Sequence, residues 1–137
     1  CMDMEDQAQK AGLTLRWQLE PGIFLTGDET LLIRLLTNLL TNAIRYNRPQ
    51  GQIDVSLSRQ GQQAVLEVKD TGIGIPPEQT DQIWERFFRG DKSRSGESSG
   101  LGLSMVQWIA QVHKGKASVQ STPGLGSIFT VRLPLTE

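Results

Sequence analysis

Two asparagines one helical turn apart, Asn38 and Asn42, are the first residues in this sequence whose type and spacing could do chemistry. They share one face of a periodic stretch with Arg34, Thr41 and Arg45, while the other face is apolar. Asparagine is a poor helix former, so an ordinary solvated face gains little by carrying two of them. An Asn side-chain oxygen can ligate a hard cation such as Mg²⁺; a plain solvated face is the alternative. The segment DTGIGI at 70–75 offers a second feature. Asp70 follows Val68 by two and so lies on the inward face of its strand, where a carboxylate is costly unless hydrogen-bonded. Gly72 and Gly74 let the backbone turn sharply and approach a flat ligand closely. An inward acceptor beside such a turn could read the amino group of adenine; an Asp that merely bonds its own backbone at a strand end gives the same pattern. The third feature, SGLGLS at 99–104, opens a helix. Gly100 and Gly102 expose backbone N–H groups at its positive end, an anion site unless the glycines are incidental. No Lys-Ser/Thr pair follows, so this is not a Walker loop. GLGS at 124–127 reads by itself as a hairpin turn.

These residues need elements to hold them. Asp28 is placed to cap a helix running to about Tyr46, with Leu31, Leu32, Leu35, Leu36, Leu39, Leu40, Ala43 and Ile44 at helical spacing. Upstream, residues 2–11 predict a short helix ended by Gly12. Leu13, Leu15, Trp17 and Leu19 alternate with polar residues as a half-buried strand, and 23–26 suggest another. Ile53, Val55 and Leu57, then Ala64, Leu66 and Val68, mark two strands joined at Gln60-Gly61. Residues 78–88 read as a short helix, and 101–113 resume a helical pattern. Ala117 and Val119, then Phe129, Val131 and Leu133, mark two closing strands around Pro123-Gly124. Strands fall in runs rather than in strict βαβ alternation. The expected class is therefore α+β: a two-layer α/β sandwich, its sheet mixed but mostly antiparallel, its helices packed on one face.

Composition narrows the function. The chain has 137 residues, which suits a single domain. Its 14 basic and 15 acidic residues nearly balance, which argues against a nucleic-acid binder working through a broad basic face. The lone cysteine, Cys1, and lone histidine, His113, build neither a disulfide nor a usual zinc site. No apolar run reaches the ~18 residues of a membrane span, and the acidic start is unlike a signal peptide. The Cys-Met opening suggests a fragment of a longer protein. Residues 89–100, RGDKSRSGESSG, hold no apolar anchor and read as mobile.

The order of the motifs is more specific than any one of them. NLLTNAIRYN, DTGIGIPPE, RFFRGD, SGLGLSMV and GLGSIFTVRLP occur in sequence. Here the chain resembles the histidine-kinase ATP-binding catalytic domain, of the superfamily shared with gyrase, Hsp90 and MutL, over nearly all of residues 4–135. The resemblance implies a Bergerat-type ATP-binding fold and a set of roles. Asn42 matches the Mg²⁺ ligand; Asn38 and Arg45 match phosphate contacts and the catalytic positions; Tyr46 matches the residue beside the adenine. Asp70 matches the adenine-reading Asp, Gly72 and Gly74 the pocket glycines, and Ile75 its apolar wall. Gly100, Leu101, Gly102 and Leu103 match the loop around the triphosphate. Residues 89–100 match the ATP lid, with Arg94 at a commonly basic position, and Ser127 matches a hydroxyl near the adenine.

The implied activity is transfer of the ATP γ-phosphate to a histidine on a separate dimerisation and phosphoacceptor domain, with Mg²⁺, in two-component signalling to a response regulator. Nucleic acid and membrane contact are not expected of this domain, and the isolated domain is expected to be a monomer. The implied location is cytoplasmic, within a parent protein anchored in the bacterial inner membrane. There are departures. Thr41 stands where many relatives carry an acidic residue, Ser98 where a Gly is usual, Trp84 replaces a Phe and Arg45 a frequent Lys. His113 is followed by Lys114-Gly115 rather than by an acidic residue, so the acceptor histidine is expected outside this chain. The alternatives are an ATP-binding pseudokinase module, a related superfamily ATPase, or a serine kinase.

Overall fold

Period-two burial decides how the strands stack. A computed structural model describes residues 6, 8–10, 12–22, 27–47, 50–75, 82–84 and 102–135. Among them are five strands and two helices: β1 (Thr14–Leu19), α1 (Glu29–Arg45), β2 (Gln52–Gln60), β3 (Gln63–Asp70), α2 (Gly102–Val112), β4 (Lys116–Thr122) and β5 (Gly126–Pro134). The strands form one sheet in the order β1-β2-β3-β5-β4. β1 runs parallel to β2 and every other pair is antiparallel, giving the mixed, mostly antiparallel sheet that the pattern of runs predicts.

Register aligns the buried rows. Val55, Val68, Phe129 and Val119 follow one another across β2, β3, β5 and β4, and the next row carries Ile53, Asp70, Ser127 and Ser121. The apolar row and its neighbours form the inward face. Onto it pack Leu35, Leu39, Leu40 and Ala43 of α1 and Val106, Ile109 and Ala110 of α2, in one core. Truncating a residue as closed off as Leu40 to Ala costs about 2–5 kcal/mol. Both helices lie on this one side, so the architecture is the expected two-layer sandwich.

α1 begins where the sequence places it. The side chain of Asp28 accepts from the Leu31 N–H at 3.0 Å, satisfying one of the first-turn donors. α2 runs antiparallel to α1: Asn38 Nδ2 donates to the Gly102 carbonyl at 3.2 Å at one end of the pair, and the Asp28 N–H donates to His113 Nε2 at the other. From α2, Gln107 reaches the outer side of β4, where its amide donates to the Ala117 carbonyl and accepts from the Ala117 N–H, both at 3.0 Å.

Some expectations need correction. Leu19 keeps the apolar alternation of β1 yet is exposed at the last residue of the strand. Val65 stands on the face expected to be polar and is nonetheless buried, between its register neighbours Ser58 and Arg132. Within 78–88, the described residues Gln82–Trp84 form a single 3₁₀ turn; the remainder lies outside the described residues. That turn seats Trp84 edge-on against Phe129, ring centroids 5.9 Å apart. Helical residues occur at 6 and 8–10, and Gly12 ends the segment with φ 78°. The strand expected at 23–26 lies outside the described residues.

Candidate functional site

β3 delivers Asp70 to the inward face at its last residue, 6% exposed. Burial pushes its carboxyl above the ordinary value of 3.8. Backbone N–H bonds from Gly72, at 2.9 Å to Oδ1, and from Ser127 oppose that shift. The result is a nearly enclosed acceptor, and a further donor from outside would offset more of its desolvation cost.

The turn after Asp70 is held from three sides. The Thr71 hydroxyl accepts from the Gln52 N–H at 2.9 Å and donates to Asn47 Oδ1 at 3.2 Å. The Ile73 N–H donates to the Tyr46 carbonyl at 3.1 Å, joining the turn to the end of α1. The Ile73 carbonyl accepts from the Gly124 N–H, and the Ile75 N–H donates to Ser121 Oγ at 2.6 Å, joining it to the β4–β5 hairpin. This geometry revises the reason for the two glycines. A Cβ on Gly72 would overlap the Tyr46 carbonyl; one on Gly74, at φ 77°, would overlap the Thr122 carbonyl. Both positions must be bare so that the turn can seat against its own protein, before any ligand is considered.

The polar face of α1 leads away from this corner. Arg34 is exposed, whereas Asn38, Thr41, Asn42 and Arg45 are half-buried. From Tyr46 back to Asn38 the helix axis spans about 12 Å. Asn38 then meets Gly102, the first residue of α2, whose missing side chain faces open space. A helix start presents unpaired N–H groups and a partial positive charge. The arrangement can therefore hold a hydrogen-bonding ring at one end and an anion at the other, with amide and guanidinium groups between.

Asp70, Gly72, Gly74, Ile75, Ser127 and Tyr46 meet at one corner, Asn38 and Gly102 at the other, and Leu103 packs against the core beside them. Arg94, Gly100, Leu101 and the whole of 89–100 lie outside the described residues. Ser121 was not singled out from the sequence; it continues the inward alternation of Ala117 and Val119, which is the signal that finds it. An open hollow of about 370 Å³ also touches these strand ends. Its lining includes Asp70, Ser121 and Ser127 of the inward row together with Lys69, Gln120 and Ile128 of the row facing away from the helices.

Residues 27–137 match the family model described as histidine kinase-, DNA gyrase B-, and HSP90-like ATPase. The chain is 44% identical over 115 residues to the sensor histidine kinase RppB of Synechocystis sp., covering 82% of this chain but only 25% of RppB. Among solved structures it is similar to the mycobacterial sensor histidine kinase MprB (TM-score 0.86, 29% identity, 98% of this chain and 91% of that one). It is also similar to full-length ShkA in complex with AMPPNP (TM-score 0.87, 26% identity, 98% of this chain and 28% of that one).

Proposed function

The chain belongs to the histidine kinase-, DNA gyrase B- and HSP90-like ATPases, as a catalytic domain of the histidine kinase kind, and from that premise we propose that it binds Mg-ATP along α1 and passes the γ-phosphate to a histidine on a separate dimerisation and phosphoacceptor domain. One observation carries the reading: the polar face of α1 is tied at its end to the Asp70 turn, through Tyr46 and Ile73, and at Asn38 to the start of α2. The AMPPNP held by full-length ShkA, an ATP analogue, agrees with it.

In this reading Asp70 accepts from the adenine amino group, Tyr46 and Ile75 flank the ring, and Gly72, Gly74 and Ser127 shape the pocket. Asn38 and Arg45 hold phosphate oxygens, as do the first N–H groups of α2 at Gly102 and Leu103. Arg94, Gly100 and Leu101 are assigned to the phosphate side on the family pattern alone, with residues 89–100 as the lid. No group of three or more His, Cys, Asp or Glu among the described residues could hold a metal. The Asn42 side-chain oxygen is of the donor type that suits Mg²⁺ arriving on the nucleotide. When bound, the ion would neutralise phosphate charge.

His113 is the chain's only histidine. Its Nδ1 lies 2.8 Å from the Ile109 carbonyl and its Nε2 accepts from Asp28, so both ring nitrogens are engaged. This supports an acceptor histidine on another domain, from which the phosphoryl group passes on to a response regulator. Thr41 offers no carboxylate to activate water, which supports slow hydrolysis by the isolated chain. Among the described residues no helix is long and apolar enough to cross a membrane. On the family pattern we assign the domain to the cytoplasm, working as a monomer beneath a membrane-anchored parent. The test supplies radiolabelled ATP with and without a His-bearing helical hairpin from the parent. Acid-labile phosphohistidine on the hairpin is expected; fast phosphate release without it, and no phosphohistidine with it, would sink the proposal.

A further inference from the structure

Ser121 makes three contacts with one hydroxyl. It accepts from the Ile75 N–H at 2.6 Å, lies 3.1 Å from the Gly126 carbonyl, and lies 2.8 Å from Ser127 Oγ. With the Ser121 proton on the Gly126 carbonyl, which can only accept, the contact to Ser127, where either hydroxyl can donate, has Ser127 as its donor. Ser127 is 6% exposed and is the register partner of Asp70, whose carboxylate takes the Ser127 backbone N–H. With its proton spent on Ser121, Ser127 has only lone pairs left to present beside Asp70.

We infer that Ser121 is a specificity-determining positioning residue: by fixing Ser127 as an acceptor it makes this corner prefer a purine bearing an amino group over one bearing an oxo group. The inference rests on the nucleotide reading above. A 6-oxo purine would turn an acceptor toward two acceptors, leaving buried groups unpaired. Without the Ser121 oxygen, the Ser127 proton becomes free to rotate toward the ligand and to serve an oxo group.

The experiment compares ATP with inosine triphosphate, which carries oxygen in place of the amino group, by calorimetry on the whole chain. Ser121→Ala is expected to reduce the wild-type preference for ATP about tenfold, the equivalent of one hydrogen bond. Ser121→Thr, which keeps the hydroxyl, should retain the preference. Adding Ser121→Ala to Ser127→Ala should change it no further. Ser121→Cys, a poor donor and acceptor, carries the same expectation should the alanine variant not fold. A Ser121→Ala or Ser121→Cys protein that loses both nucleotides equally, or keeps the wild-type ratio, overturns the inference while the nucleotide site stands. Wild-type chain that binds neither nucleotide overturns the site itself.

Discussion

The backbone N–H of Asp28 donates to Nε2 of His113 at 3.0 Å, so the residue that caps the start of α1 is also fastened to the end of α2. His113 Nδ1 faces the Ile109 carbonyl and must carry the ring proton, which leaves Nε2 as the acceptor. The imidazole occupies the space a side chain on Gly27 would need. His113→Ala and Gly27→Ala should each cost about 1–3 kcal/mol, the first through lost bonds and the second through overlap. Together they should cost less than their sum, because the alanine at 113 vacates the space that the methyl at 27 enters. Urea titration of the four proteins checks this; strict additivity would refute it.

Asp70 sets stability against recognition. Its carboxyl is held above the ordinary value of 3.8, chiefly by burial. The protonated form therefore favours folding: that contribution is complete below the ordinary value and is lost as pH rises through the raised one. Asp70→Asn has no charge to bury, so ligand-free variant should be at least as stable as wild type at neutral pH and less sensitive to pH above the ordinary Asp range. Its ATP affinity should fall at least about tenfold. In the wild type, ATP affinity should weaken as pH drops through the raised value, because protonation removes the acceptor. Melts across pH with paired calorimetry test each part. A variant less stable than wild type at neutral pH would show that the carboxylate is needed for the turn instead.

Two glycines of similar sequence setting should respond oppositely. Gly74→Ala combines a left-handed backbone, φ 77°, with overlap on the Thr122 carbonyl, and should cost about 2–4 kcal/mol. At Gly102 an added Cβ meets nothing within 4 Å. Gly102→Ala should leave the fold intact or up to about 1 kcal/mol more stable, since Ala is the better helix former. Any loss of ATP affinity there then reports on the approach of phosphate to the start of α2. Thermal melts rank the two variants, and equal destabilisation would contradict this account.

Asn42→Ala should also fold normally, because the side chain is half-buried and Ala favours a helix. The expected loss is specific: Mg²⁺-dependent ATP affinity should fall at least about tenfold. Calorimetry in Mg²⁺ and in chelator separates the metal from the nucleotide. Unchanged Mg-ATP binding removes Asn42 from the site.

What could be read in advance follows from the range of each interaction. The cap of α1, its apolar and polar faces, and the inward placing of Asp70 depend on neighbours a few residues away, and periodicity records them. A mixed sheet is expected, but which pair is parallel is not legible, because alternation looks the same in parallel and antiparallel strands. Alternation with Ala117 and Val119 puts Ser121 on the inward face, but its bond to Ile75 spans 46 positions and has no local signature. Gly72 and Gly74 are legible as glycines of a sharp turn, but the carbonyls of Tyr46 and Thr122 that exclude a Cβ at each come from distant elements.

The amide of Gln107 imitates, for one residue, the strand that β4 lacks on its outer side. β4 has β5 on one flank, and the outward N–H and C=O of Ala117 would otherwise invite another chain to extend the sheet. Gln107 takes both groups at once, so a foreign strand would first have to displace it. The outward backbone is thus already occupied at Ala117, and strand addition at that point of β4 carries the added cost of releasing the Gln107 amide.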